Sequence, residues 1–331
     1  MRNNSHFSQS LLNILFFICV AFLFSTEAQF DGKECPPKED IFPCTCELSE
    51  ENRSHIVCRN LLRSDILAYV VKASRGVDIY ALSIRDSTLQ YLPSEEFEGT
   101  SFEYIELLNT GLLAISPTEY ALQGLEKRTY MIDIINCRFM NGWSWKAFEK
   151  FSSLMVLQFL DGDLRSISSD FSALSNNRLL HGINFGNNEI QSLKEDTFAM
   201  FKDLSSLYLQ DNQIRRVSRS MLPNPAERLF FINLSNNELD SLPDDFFTNM
   251  PKLKQIFISG NHLMTISQDV FGPVWKHDLW LEIQHNNIIC DCRLKWIVSQ
   301  PKPSYFIGEC SGPSHLVGRK LTTLKELELT C

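Results

Sequence analysis

Residues 204–214 read Leu204-Ser-Ser-Leu207-Tyr-Leu209-Gln-Asp-Asn212-Gln-Ile214, and the frame returns along the chain. Leu229 to Leu239 reads LFFINLSNNEL, Leu253 to Leu263 reads LKQIFISGNHL, and Leu180 to Ile190 reads LHGINFGNNEI. Apolar residues two apart mark a short strand with one buried face. The third apolar position of the frame falls on Ile84, Leu107, Ile134, Phe159, Phe185, Leu209, Leu234, Ile258 and Ile283, a mean spacing near 24.9 residues. That makes nine units over roughly residues 78–290. A coil of this size cannot bury its own apolar side, so stacked neighbours must close the core.

The repeated LxxLxLxxNxL frame resembles the leucine-rich repeat family. The resemblance implies an α/β repeat fold, a horseshoe solenoid with a parallel sheet on its concave side. It also implies that a later aromatic fills the convex side of the core, which here is Phe97, Tyr120, Phe148, Phe171, Phe198, Phe247 or Phe271.

The Asn of each frame sits where the strand turns inward. Its amide offers donors and an acceptor to backbone groups that the turn would bury unpaired. That position reads Ser87, Thr110, Cys137, Gly162, Asn188, Asn212, Asn237, Asn261 and Asn286. Ser and Thr still bond, whereas Gly162 requires a water or a local distortion to compensate. Cys137 is expected to be a buried stand-in for the Asn.

A solenoid exposes core at each end, so its terminal units must differ. Cys35, Cys44, Cys46 and Cys58 precede the repeats, and Cys290, Cys292, Cys310 and Cys331 follow them. Four cysteines allow three pairings, and spacing alone does not choose. Zinc is the rival reading, opposed by the secretory leader and by the lack of a CxxC knuckle. The resemblance to cysteine-flanked repeat caps implies Cys35–Cys46, Cys44–Cys58, Cys290–Cys310 and Cys292–Cys331. The run Cys290-Asp-Cys292-Arg-Leu294-Lys-Trp296 matches the family's C-terminal cap, with Leu294 and Trp296 starting a short helix. The run Cys35-Pro-Pro-Lys-Glu-Asp-Ile-Phe-Pro-Cys44-Thr-Cys46 resembles a group of secreted arthropod proteins that look like the non-catalytic subunit of Oplophorus-luciferin 2-monooxygenase. That resemblance implies a stabilising or carrier role beside a separate, smaller catalytic chain.

Arg2, the apolar run Leu11 to Phe24 and the small residues before Ala28 describe a secretory leader. The expected organisation is a leader over 1–28, an N-terminal cysteine cap over 29–77, nine repeats over 78–289 and a C-terminal cap over 290–331. No later run reaches the length of a membrane span. The address expected is secreted and extracellular.

The 331 residues carry 31 Lys plus Arg against 40 Asp plus Glu, a net charge of −9. This balance argues against a nucleic-acid partner, whose phosphates want clustered cations. The chain has no HExxH, GxSxG, Walker or GxGxxG motif. Asp161-Gly-Asp163 lacks the Glu of a calcium loop, and Asp244-Asp245 reads as solvated surface. Neither a catalytic residue, a metal nor a cofactor is expected.

Binding is therefore expected on the concave face. Alternating side chains place Tyr208, Phe231, Phe257 and Trp280 there as one group. Tyr104, Leu108, Met131, Ile135, Val156 and Leu160 form another, with Glu106 and Asp133 beside them. Repeat five offers Gly182 and Gly186, expected to make a low point between the groups. Grouped exposed aromatics mark a partner site; the rival is that neighbouring side chains cover them. The sequons at Asn52 and Asn233 are candidate glycan sites. The function expected is non-catalytic binding or assembly with an extracellular protein. The alternative is a free ligand-binding or matrix-adhesion protein, and a minor one is an enzyme.

Overall fold

The computed structural model describes residues 35–48 and 52–331; the expected leader lies outside them. Among the described residues, the strands pair in chain order into one twelve-stranded sheet. It opens with an antiparallel hairpin, Thr45–Leu48 against Ser54–Arg59. All later pairings are parallel, and the aligned positions run His55, Ala81, Tyr104, Met131, Val156, Gly182, Ser206, Phe231, Gln255, Trp280 and Tyr305. This is the register set by the repeat spacing, extended by one strand at each end.

The core follows from the frame. Ile84, Leu107, Ile134, Phe159, Phe185, Leu209, Leu234, Ile258 and Ile283 are all buried. Phe97, Phe148, Phe171, Phe198, Phe247 and Phe271 are buried behind them. Phe171 touches Trp145 of the coil before it and Phe185, Phe198 and Phe201 of the coil after it, all edge-on, so one ring serves three coils. Removing such a ring costs about 3–5 kcal/mol, because the coils on either side lose their contact. Tyr120 departs from this pattern. It is half-buried, and the Lys150 ammonium lies 3.9 Å over its ring.

The Asn ladder holds the turns in the last five repeats. Asn237 Nδ2 donates to the carbonyls of Leu209, Leu234 and Ser235 at 2.9, 3.1 and 3.2 Å. Its Oδ1 accepts from Ile214 N–H at 2.9 Å, so one amide stitches two coils. Earlier repeats solve the problem differently. Ser87 Oγ accepts from Leu61 N–H and donates to Arg85 O, and Thr110 Oγ1 donates to the Ile84 or Leu108 carbonyl. Thr88–Leu89, Gly111–Leu112 and Arg138–Phe139 then pair as a second, three-stranded parallel sheet. Main-chain bonds thus replace side-chain ones where Asn is missing. At Gly162, a Cβ would stand 2.5 Å from the Phe159 ring and 2.8 Å from Asn188 Oδ1, so only glycine fits. Cys137 is buried and free, its thiol bonding Ile135 O and pushed up to about 11 by burial.

Disulfides join Cys35 to Cys46, Cys44 to Cys58, Cys290 to Cys310 and Cys292 to Cys331. At the N-terminal end the helix Ser64–Ala73 turns Leu67, Val70 and Val71 onto the first coil. At the other end the helix Lys295–Ser299 buries Ile297, and Trp296 Nε1 donates to Ile266 O at 2.8 Å. Among the described residues, no helix is long and apolar enough to cross a membrane.

Candidate protein-binding face

Strands in a sheet lie about 4.8 Å apart. Large side chains at neighbouring outward positions therefore meet one another before they meet solvent. Along repeats six to nine the rings form a continuous row. Tyr208 and Phe231 have centroids 4.4 Å apart, Phe231 and Phe257 5.3 Å, and Phe257 and Trp280 6.2 Å. The row continues to Tyr305, 4.0 Å from Trp280.

This packing corrects the picture of four exposed aromatics. Tyr208 and Phe231 are each only 6% exposed, Phe257 is half-buried, and Trp280 is open at 37%. The row is thus a rigid stripe that surfaces toward its C-terminal end. Tyr305 did not announce itself in the sequence. Its unit has Gly308 where the third apolar residue belongs, and Leu321 from the cap packs against that glycine.

Beside the rings, Trp280 Nε1 donates to Glu282 Oε1 at 3.1 Å. Burial lifts the Glu282 carboxyl above its ordinary value, against hydrogen bonds from Trp280 and Tyr305.

The N-terminal group is built from polar bonds. Asp133 is 4% exposed and accepts from Tyr104 OH at 2.9 Å and from Gln158 Nε2 at 2.9 Å. Gln158 Oε1 accepts from Asn184 Nδ2 at 3.1 Å, and Asn184 Oδ1 accepts from Gly186 N–H at 3.1 Å. Glu106 is held by Arg85 at 2.7 Å. Burial pushes the Asp133 carboxyl up to about 7, opposed by its two hydrogen bonds. Desolvation and the nearby Asp133 and Glu106 charges drive the Tyr104 phenol well above its usual range. Met131 and Val156 are buried beneath, while Leu108, Ile135 and Leu160 stay half-exposed. The low point expected at repeat five is filled, because the Gln210 amide lies 2.3 Å from where a Gly186 Cβ would stand.

At the N-terminal edge the chain supplies its own cation. The Arg53 guanidinium lies 3.3 Å over the Tyr80 ring and 3.2 Å from Glu103. Tyr80 and Tyr130 share a hydroxyl contact at 3.0 Å.

The two sequons part company. Asn52 is exposed with φ at 61°, a conformation Asn tolerates. Asn233 is 3% exposed, and its Oδ1 accepts from Ser235 N–H at 3.0 Å. The folded chain leaves no path for a glycan from Asn233, a correction to the sequence reading.

A further regularity of the sequence marks every turn. The residue before each ladder position has positive φ, between 51° and 67°, at Asp86, Asn109, Asn136, Asp161, Asn187, Asp211, Asn236, Gly260 and His285. Asn, Asp and Gly accept this left-handed turn most readily. The Asx residues at 86, 109, 136 and 161 anchor the register even where the ladder Asn is lost.

The leucine rich repeat family model matches residues 228–288. No curated protein matches the sequence. Among solved structures, the chain is similar to one from an octameric complex of Latrophilin 3, Unc5D and FLRT2, whose FLRT2 part is a leucine-rich repeat. That match has a TM-score of 0.62 at 18% identity over 90% of this chain and 100% of the other. A leucine-rich repeat protein of Leptospira interrogans gives 0.52 at 16% identity, over 76% of this chain and 65% of that one. A chain of the TLR13–ssRNA13 complex gives 0.56 at 15% identity, over 77% and 42%. With the same coil repeated on both sides of the matched segment, the chain has the leucine-rich repeat fold.

Proposed function

We propose that the protein is a secreted, non-catalytic binding or assembly protein that seats an extracellular protein partner on its concave face. The observation that carries this is the ring row from Tyr208 to Tyr305, packed ring against ring within the folded chain itself. Rings already held in place lose little freedom on binding, so their apolar area counts toward affinity. The eight contact residues are Tyr104, Glu106, Met131, Asp133, Tyr208, Phe231, Phe257 and Trp280. Burial divides them: Trp280, Phe257, Tyr104 and Glu106 offer surface, and the other four hold it in shape. Four disulfides suit an oxidising compartment, and the net charge of −9 disfavours nucleic acid.

The partner we infer is a smaller catalytic chain of a luciferase-type monooxygenase, on the resemblance carried by Cys35 to Cys46. Capture from the secreted fluid tests this. The wild-type chain is expected to retain a partner with monooxygenase activity, and a Phe257→Ser, Trp280→Ser chain to lose it. A partner held equally by both chains rejects the concave face. A retained receptor or matrix protein makes this an adhesion protein instead.

A further inference from the structure

The two ends of the concave face carry the same chemistry with one difference. At the N-terminal end, the Tyr80 ring and the Glu103 carboxylate hold a guanidinium, that of Arg53. At the C-terminal end, Trp280 and Tyr305 present rings beside the Glu282 carboxylate. Among the described residues, no cation of the chain lies over either ring.

We propose that Trp280, Tyr305 and Glu282 form a docking site for an arginine side chain of the protein partner. This rests on the reading of the concave face as a partner-binding surface and names what that surface takes. Trp280 is 37% exposed and Tyr305 half-exposed, so although the two rings pack on each other, part of their surface is open to a guanidinium. A guanidinium is planar and weakly hydrated, which suits stacking on a ring while its N–H groups reach a carboxylate. Glu282 Oε1 accepts one bond from Trp280 Nε1, so the carboxylate is aimed by the same indole that offers its face. A carboxylate half-withdrawn from water recovers the cost of its burial when a cation settles on it. The net charge of −9 favours encounter with a basic partner.

The test uses the full chain and two short peptides, acetyl-Gly-Arg-Gly-amide and its citrulline counterpart, which keeps the shape and loses the charge. The indole N–H resonance of Trp280 is followed by NMR during each titration. The arginine peptide is expected to shift that resonance at least about tenfold more effectively than the citrulline peptide. Glu282→Gln, which keeps an acceptor for Trp280, is expected to remove this preference. Equal shifts with both peptides, or a preference that survives Glu282→Gln, overturn the proposal. A partner bound equally by wild type and Glu282→Gln, yet lost with Trp280→Ser, also overturns the arginine site while leaving the concave reading standing. Failure of the wild-type chain to hold any partner on this face overturns the broader reading as well.

Discussion

The indole N–H of Trp280 donates to Glu282 Oε1 at 3.1 Å, which fixes the most exposed ring of the row against its own strand. Ring orientation here is therefore set by the folded chain and not by whatever binds. Replacing Trp280 by Ser removes a ring that is 37% exposed, together with its stacking on Tyr305. The expected stability loss is about 1 kcal/mol. Phe231→Ala, at 6% exposure in the same row, is expected to cost about 3–5 kcal/mol. Thermal melts of the two variants check the contrast; equal losses would mean that Trp280 is core.

Asp133 makes stability depend on pH. Its carboxyl is pushed up to about 7 in the fold against 3.8 as a free residue. Between those values the folded chain keeps a proton that the unfolded chain releases. The stabilising contribution is complete below pH ~4 and is lost as pH rises through ~7. Urea melts from pH 4 to 8 are expected to show this decline, on the order of a few kcal/mol, and Asp133→Asn is expected to flatten it. A wild-type profile from this region that rises with pH contradicts the account.

The Asn ladder gives a second stability contrast. Asn237→Ala takes one bond from each of three carbonyls, which keep Asn212, Asn261 and the Asp211 N–H as donors, and leaves the Ile214 N–H without its acceptor. The expected cost is about 3 kcal/mol, since four bonds are lost and one buried N–H is left unpaired. Ser87→Ala is expected to cost about 1–2 kcal/mol, because main-chain pairing in the second sheet holds those turns. Denaturant titrations in parallel read the difference.

Two covalent probes test the surface. Mass spectrometry of the protein expressed through a eukaryotic secretory pathway is expected to find a glycan at Asn52 and an unmodified Asn233. A disulfide-exchange reagent is expected to label Cys137 only after unfolding, since the thiol is buried and raised to about 11. Labelling of the native chain at Cys137 would mean that its coil opens.

The strand register was legible because apolar positions two apart leave no freedom in which face is buried. Ile84 and Ile283 lie eight repeats apart and are both fully covered. What stayed hidden depends on distances between coils. That Tyr208 and Phe231 shield each other follows from a 4.4 Å ring contact, which no single repeat encodes. The buried chain Tyr104–Asp133–Gln158–Asn184 likewise needs four strands side by side before its hydrogen bonds exist. Tyr305 was missed because a glycine stands in its frame, and the reason for that glycine, Leu321, lies in the cap.

The most direct test of the concave face is partner affinity measured by calorimetry for three chains. These are wild type, Trp280→Ser, and Met140→Ser, whose side chain is 80% exposed and lies outside the concave strand Met131–Ile135 of its repeat. The account predicts a loss of at least about tenfold for Trp280→Ser, with its melting temperature within a few degrees of wild type, and no loss for Met140→Ser. Unchanged affinity for Trp280→Ser, or an equal loss in both variants, would contradict it.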